Sequence, residues 1–232
     1  SETRPVPLEQ HVLVRGDLLP LFDDRAGVAT AQVNQELTRI RSPKGATYEN
    51  NRRASEYRSR SDREGRRPHR GGSRPVRPST AARIERMDRP QVVELLGRSN
   101  LLPAIFFIFS RVGCEAAVQQ VRRSGVRLTD TAERDEIRAI IDERLRPLQD
   151  EDLSVLGYWE WRENLERGVA SHHAGMLPAF KEVVEELFRR KLVKVVFATE
   201  TLALGINMPA RTVVLEKLEK FNGEARVAIT SG

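Results

Sequence analysis

PAFKEVVEELFRRKLVKVVFA, residues 178–198, places an amphipathic helix directly before an apolar strand. Pro178 suits the first turn of a helix, where its missing N–H costs nothing. Phe180, Val183, Val184, Leu187 and Phe188 recur at the helical period, and Arg189, Arg190 and Lys191 fall where the negative end of the helix dipole favours cations. The spacing predicts a helix over 178–190. Val193 to Ala198 (VKVVFA) then reads as a strand.

The same alternation extends both ways. Upstream, Val169 to His172 is a short strand, Leu153 to Leu165 (LSVLGYWEWRENL) has helical character, and Asp130 with Glu133 forms a capping-box pattern ahead of a helix over 132–145. Ala117, Val118 and Val121 lie on one face of a helix over 113–124 that stops at Gly125. Ala104 to Phe109 (AIFFIF) is apolar on both faces, as a strand covered on both sides must be. Pro90 opens a two-turn helix ending near Gly97, and Thr212 to Leu215 is a strand downstream. Strands alternating with helices predict an α/β fold, a mostly parallel sheet with helices on both faces.

Before Pro90 the pattern changes. Val6 to Arg15 reads as an opening strand, residues 17–89 as an insert, and Asn34 to Ile40 as a short helix within it. From Arg41 the chain turns to Arg, Ser, Gly and Pro (RSRSDREGRRPHRGGSRPVRP over 58–78), too poor in apolar groups to offset the entropy of ordering. Disorder is expected over 41–89. The domain organisation read from this is a first strand in 1–16, an insert over 17–89 and a main body over 90–232.

Charge follows the same division. Residues 41–90 hold 15 Lys plus Arg against 6 Asp plus Glu, a net of +9, while the whole chain is +6, so the rest stands at −3. The pI near 9.9 therefore reflects one Arg-rich segment rather than a basic fold. That segment reads either as a solvated linker or as an arm attracting phosphates in a salt-dependent way, the arm being favoured because Arg replaces Lys throughout 45–90. The longest apolar run, Leu101 to Phe109, contains Pro103 and is far shorter than the roughly 20 residues that span a bilayer. No signal-peptide core opens the chain and Cys114 is its single cysteine, which excludes an intrachain disulfide or a cysteine-rich zinc site and favours a cytoplasmic setting. An opening on Ser1 and a close on Thr230-Ser231-Gly232 suggest a piece of a longer protein.

In a parallel sheet, ligands gather beyond the C-terminal strand ends. Three loops then matter: Ser110-Arg111, His173-Ala174-Gly175, and Ala198 to Thr201. Hydroxyls, a guanidinium, an imidazole, a glycine and a helix start after Thr199 together suit a phosphate backbone.

SHHAGMLP (171–178), VVFATETLALGINMPARTVV (195–214) and FIFSR (107–111) closely resemble the second RecA-like domain of superfamily 2 helicases of the superkiller-type, DExH-box group. The resemblance covers 104–110 and 153–224, and extends to RPVPLEQHVLV (4–14). It implies a RecA-like three-layer sandwich. It also implies that Ser110 and Arg111 (motif IV), His173 and Gly175 (motif IVa), and Thr199 and Thr201 (motif V) lie along a nucleic-acid channel, with Gly205 and Asn207 approaching ATP at an interdomain cleft. Many relatives outside this group carry Asp where Asn207 stands; its neutral amide can still bond a ribose hydroxyl. The implied partners are a single strand of RNA or DNA and a first RecA-like domain, with ATP and Mg2+ as cofactors of the full-length enzyme. No phosphate-binding GxxxxGK[ST] loop, strand-terminal DExH or QxxGRxGR stretch occurs, and DERL at 142–145 falls within a helix. This chain by itself is accordingly expected to bind no ATP and to be inactive as an ATPase.

Simpler roles stand beside these. Thr199 equally suits capping the short helix that follows it, a role it would have in any protein. His172 and His173, adjacent on a strand, point to opposite faces and cannot readily share a metal. Tyr158, Trp159 and Trp161 form either a base-stacking platform or, the favoured reading, part of the core. Cys114 reads as a small buried hydrophobe.

Overall fold

The structure is a computed structural model that describes residues 8–23, 32–40, 87–146, 157–203, 208–216, 219–221 and 226–228. The chain divides into two units, Ser1–Met87 and Asp88–Gly232. The expected disorder over 41–86 and the start of the helix read over 153–165 lie outside the described residues.

In the first unit, β1 (His11–Val14) and β2 (Asp17–Pro20) pair antiparallel, with Val14 opposite Asp17. Arg15 at φ 55° and Gly16 at φ 98° make the two-residue connection, whose positive φ values match the twist of the flanking strands. The opening strand thus belongs to a hairpin that the sequence reading did not foresee. Asn34 caps α1 (Gln35–Arg39): its Oδ1 accepts from Glu36 N at 2.9 Å, and its Nδ2 donates to Pro20 O at 3.1 Å.

The second unit holds a four-stranded parallel sheet in the order β4-β5-β3-β6, from β3 (Ala104–Phe107), β4 (Val169–His172), β5 (Val195–Ala198) and β6 (Thr212–Leu215). A further antiparallel pair joins β7 (Glu219–Phe221) and β8 (Arg226–Ala228). Helices α2 (Arg89–Arg98), α3 (Arg111–Arg123), α4 (Thr131–Arg144), α5 (Tyr158–Glu166) and α6 (Pro178–Arg189) cover the sheet. Alternate strand residues feed two cores. Ala104, Phe106, Val169, Val195 and Phe197 join Val93 and Leu96 of α2 and Val118 and Val121 of α3. Ile105, Ala170, Val196 and Ala198 join Ile137 and Ile141 of α4, Leu165 of α5 and Val184 and Leu187 of α6. This is the three-layer arrangement expected of a RecA-like fold.

Local sequence explains the helix starts. Asp88 and Gln91 form a reciprocal capping box for α2, as Asp130 and Glu133 do for α4. Order therefore begins at Asp88, slightly before the end assigned to the disordered stretch. Arg89 is also fixed, its guanidinium bonding Glu216 at 2.6 and 2.8 Å and Gln120 at 3.2 Å. Gly157 at φ 68° precedes α5 in the left-handed region that glycine tolerates.

Cys114 on α3 is fully buried, and burial, assisted by the neighbouring Glu115 carboxylate, pushes its thiol up to about 12. A thiol so protonated and enclosed is unreactive. We expect iodoacetamide to leave native protein unmodified at neutral pH and to label Cys114 once the chain is unfolded in urea, as followed by intact mass.

Candidate nucleic-acid interface

Strand register brings the candidate loops together. Phe107 lies opposite both Ala198 and Leu215, and His172 lies opposite Ala198, so β3, β4, β5 and β6 end level. The ladder runs one step further: Ile108 N donates to Ala198 O at 2.8 Å, and Thr199 N donates to His172 O at 3.2 Å. Ser110, Arg111, His173, Gly175 and Thr199 consequently follow neighbouring strand ends on one edge of the sheet.

Ser110 is the N-cap of α3, its Oγ accepting from Gly113 N at 3.2 Å. The 13-residue helix beyond directs its positive end towards this edge. Arg111, its first residue, is exposed, and among the described residues it forms no ion pair. A fixed hydroxyl, a helix N-terminus and an uncommitted guanidinium make a site suited to a phosphate group.

Gly113 sets the tightness of this turn. A Cβ there would stand 2.8 Å from Ile108 Cγ2, closer than real Cβ atoms approach, and a tight 3.2 Å from Ser110 Cβ. Helical Gly→Ala ordinarily stabilises by about 0.5–1 kcal/mol. Overpacking reverses the sign here, and Gly113→Ala is expected to cost about 1 kcal/mol or more and to disturb the Ser110 cap. Gly97→Ala, whose Cβ would meet nothing nearer than 3.7 Å, should stabilise. Urea midpoints of the two variants moving in opposite directions check this.

Beyond β4 the two histidines diverge, as strand geometry requires. His172 is buried, with Nε2 2.8 Å from Glu185 of α6 and Nδ1 without a partner. His173 turns to the other face, where Nε2 lies 2.8 Å from Glu115 Oε1. Its Nδ1 accepts from Gly175 N at 3.1 Å, which places the ring proton on Nε2. His173 is only 7% exposed and both its nitrogens are committed, leaving none for a phosphate. The imidazole instead shapes the loop carrying Gly175. Gly175 packs closely: a Cβ there would lie 3.3 Å from His173 Nδ1 and 3.5 Å from Arg111 Cδ. Arg111, His173 and Gly175 therefore form one cluster.

After β5, Thr199 is half-buried and Glu200 exposed, while Leu202 reaches into the core at 3% exposure. The bend runs along the edge rather than through the interior. The short helix expected after Thr199 is a single 3-10 turn, Glu200–Ala203, and Leu202 N donates to Thr199 O at 3.2 Å. Thr201 lies in that turn. Gly205 and Asn207, the residues assigned to ATP, lie outside the described residues.

Glu115 escaped the sequence reading. Its signal is faint: a carboxylate one helical turn beyond Arg111, meaningful only once β4 is known to pass beside α3. Two of the three aromatics of α5 are core, as favoured. Tyr158 is buried, and Trp161 stacks on Phe180 with centroids 4.2 Å apart. Trp159 is the exception, 69% exposed. Among the described residues no group of three His, Cys, Asp or Glu could hold a metal, and no helix is long and apolar enough to cross a membrane.

No protein-family profile matches the chain. Its whole length is 54% identical to "Probable helicase HelY" of Mycobacterium leprae, covering 24% of that protein. It is 38% identical over 99% of its length to "DExH-box ATP-dependent RNA helicase DExH15 chloroplastic" of Arabidopsis thaliana, covering 20% of it. Over 62% of its length it is 36% identical to "Antiviral helicase SKI2" of Saccharomyces cerevisiae. The chain thus spans about a quarter or less of the relatives it matches. Helicase sequences align along all of it, over a parallel sheet flanked by helices, and the chain belongs to the superkiller-type, DExH-box helicases of superfamily 2, near HelY.

Proposed function

We propose that this chain forms the second motor domain of an ATP-dependent RNA helicase and supplies its grip on the sugar-phosphate backbone of a single strand. The observation that carries the reading is the level ending of β3, β4 and β5, which sets Ser110, Arg111, Gly175 and Thr199 side by side on one edge. Such a row contacts phosphates without reading bases. Arg111 supplies charge, the N-terminus of α3 supplies N–H donors, and His173 holds the Gly175 loop close enough for backbone to approach a ligand. Thr201 joins this row by its place in the turn after Thr199. Residues 41–86 add non-specific attraction that weakens with salt.

The assignment of Gly205 and Asn207 to ATP, with Mg2+, rests on the motif match alone. It supports a motor in which ATP binds between this domain and a first RecA-like domain. Because Thr199 and Gly205 lie in one short stretch of chain, changes at the cleft would reach the strand-binding edge directly. The division into a first strand, an insert and a main body, and work in the cytoplasm, belong to the same reading.

The test joins this chain to a first RecA-like domain of the same family and measures ATP hydrolysis with and without single-stranded RNA or DNA. Stimulation by RNA supports the proposal, and stimulation by DNA alone changes the substrate. No stimulation by either makes the chain a non-catalytic nucleic-acid-binding module with a helicase-like fold.

A further inference from the structure

Arg111 and Glu115 stand one turn apart on the same face of α3, a spacing at which arginine and glutamate ordinarily pair. Four other pairs in the second unit do, while Glu185 and Arg189 of α6, at the same spacing, do not, since Glu185 is turned to His172. Arg98 with Glu94, Arg162 with Glu166, Arg167 with Glu163 and Arg190 with Glu186 all close at this spacing, and Arg162–Glu166 has the same order along the chain as Arg111 and Glu115. Arg111 and Glu115 do not close. The Glu115 carboxylate turns instead towards the end of β4, where Oε1 accepts from Ser171 Oγ at 2.7 Å and from His173 Nε2 at 2.8 Å.

Both donors are well fixed. Ser171 is 4% exposed and is held in β4 opposite Phe197. His173 is oriented by the Gly175 N–H on its other nitrogen. Two donors from a buried strand end outcompete a single solvent-exposed arginine, whose pairing would be worth only a few tenths of a kcal/mol. The Arg111 side chain passes beside Gly175 with its Cδ, and among the described residues its guanidinium is left without an ion pair.

We propose that Glu115 is a positioning residue for the strand-binding edge: Ser171 and His173 hold its carboxylate away from Arg111, so that the guanidinium remains open to a phosphate. The inference rests on the nucleic-acid reading above and adds its internal control. In this arrangement the side chains of Ser171 and His173 govern the charge presented by α3 without themselves touching the ligand.

The test is fluorescence anisotropy of the 232-residue chain with fluorescein-labelled oligouridine at low salt, each variant first checked for an unchanged melting curve. Ser171→Ala combined with His173→Ala frees the carboxylate to pair with Arg111, and affinity should fall about threefold, the scale of one such competing pair. Adding Glu115→Gln removes the competing charge and should restore the parental affinity. Loss of packing alone would not be repaired by a third substitution, so a double variant that Glu115→Gln fails to rescue overturns the proposal. Should the double variant not fold, Ser171→Ala alone serves, with a smaller fall and the same required rescue. Arg111→Ala separates the two levels. If it leaves affinity unchanged, the nucleic-acid reading of this edge fails; if it weakens binding while the rescue is absent, only the role of Glu115 fails.

Discussion

Phe197→Ala is expected to destabilise the second unit by about 3–5 kcal/mol, the range for deleting a fully buried aromatic ring. Phe197 is 0% exposed on β5, which lies between β4 and β3, and its ring centroid is 4.9 Å from that of Phe106 on the adjacent strand. Alanine would remove the ring from the core shared with α2 and α3 and forfeit the aromatic pairing. A domain of ordinary stability holds only about 5–15 kcal/mol in total, so the variant should be partly unfolded at body temperature. Val213→Ala on β6 is the matched control: that side chain is 56% exposed, and its loss should cost no more than about 0.5 kcal/mol. Guanidinium unfolding of both variants decides the matter. A loss below 1 kcal/mol at Phe197 would mean that β5 is not covered on both faces.

Arg111→Ala should produce the largest functional change. Replacing an exposed guanidinium that bonds a phosphate removes a charge-assisted contact, so affinity for single-stranded RNA should fall about tenfold at low salt. The dependence of log affinity on log salt should also flatten by about one phosphate. The melting temperature should not move, because the side chain makes no ion pair among the described residues. Arg89→Ala should behave in the opposite way. Its guanidinium is spent on a two-pronged pair with Glu216, so it should cost stability and leave the salt dependence intact. Anisotropy titrations across a salt series, set beside melting curves, distinguish the two arginines. Equal loss of affinity from both would remove the assignment of Arg111 as the phosphate contact.

Much of the sheet could be read directly because its strands are covered on both sides. Val169–His172 and Thr212–Leu215 match the expected strands residue for residue, and VKVVFA and AIFFIF differ only at their ends. AIFFIF stops early because Ser110 must leave the ladder to cap α3. The reciprocal cap of Asp130 and Glu133 was equally direct, since it depends only on residues three apart. The hairpin of β1 and β2 was hidden because its turn is Arg15-Gly16 rather than an Asn-Gly or Asp-Gly pair, leaving a non-glycine residue at positive φ. Trp159 was misjudged because three nearby aromatics on a nine-residue helix cannot all face inward.

The edge was readable as a set of loops but not as a network. Strand-end reasoning placed Ser110, Arg111, His173, Gly175 and Thr199 together, and the register agrees. The same reasoning could not reveal that His173 is committed inward. That depends on Glu115, which the sequence separates from His173 by 58 positions and the fold brings to 2.8 Å. Side-chain partners across a parallel sheet follow from the packing of helix on strand, which spacing along the chain does not encode.

Backbone hydrogen exchange of the 232-residue chain, with and without a saturating single-stranded oligouridine, tests the central claim most directly. The account predicts added protection at 108–113, 173–177 and 199–203, with α4 and α5 unchanged. Protection confined to the first unit or to the outer helices, with these three loops exchanging as in the free protein, would contradict it.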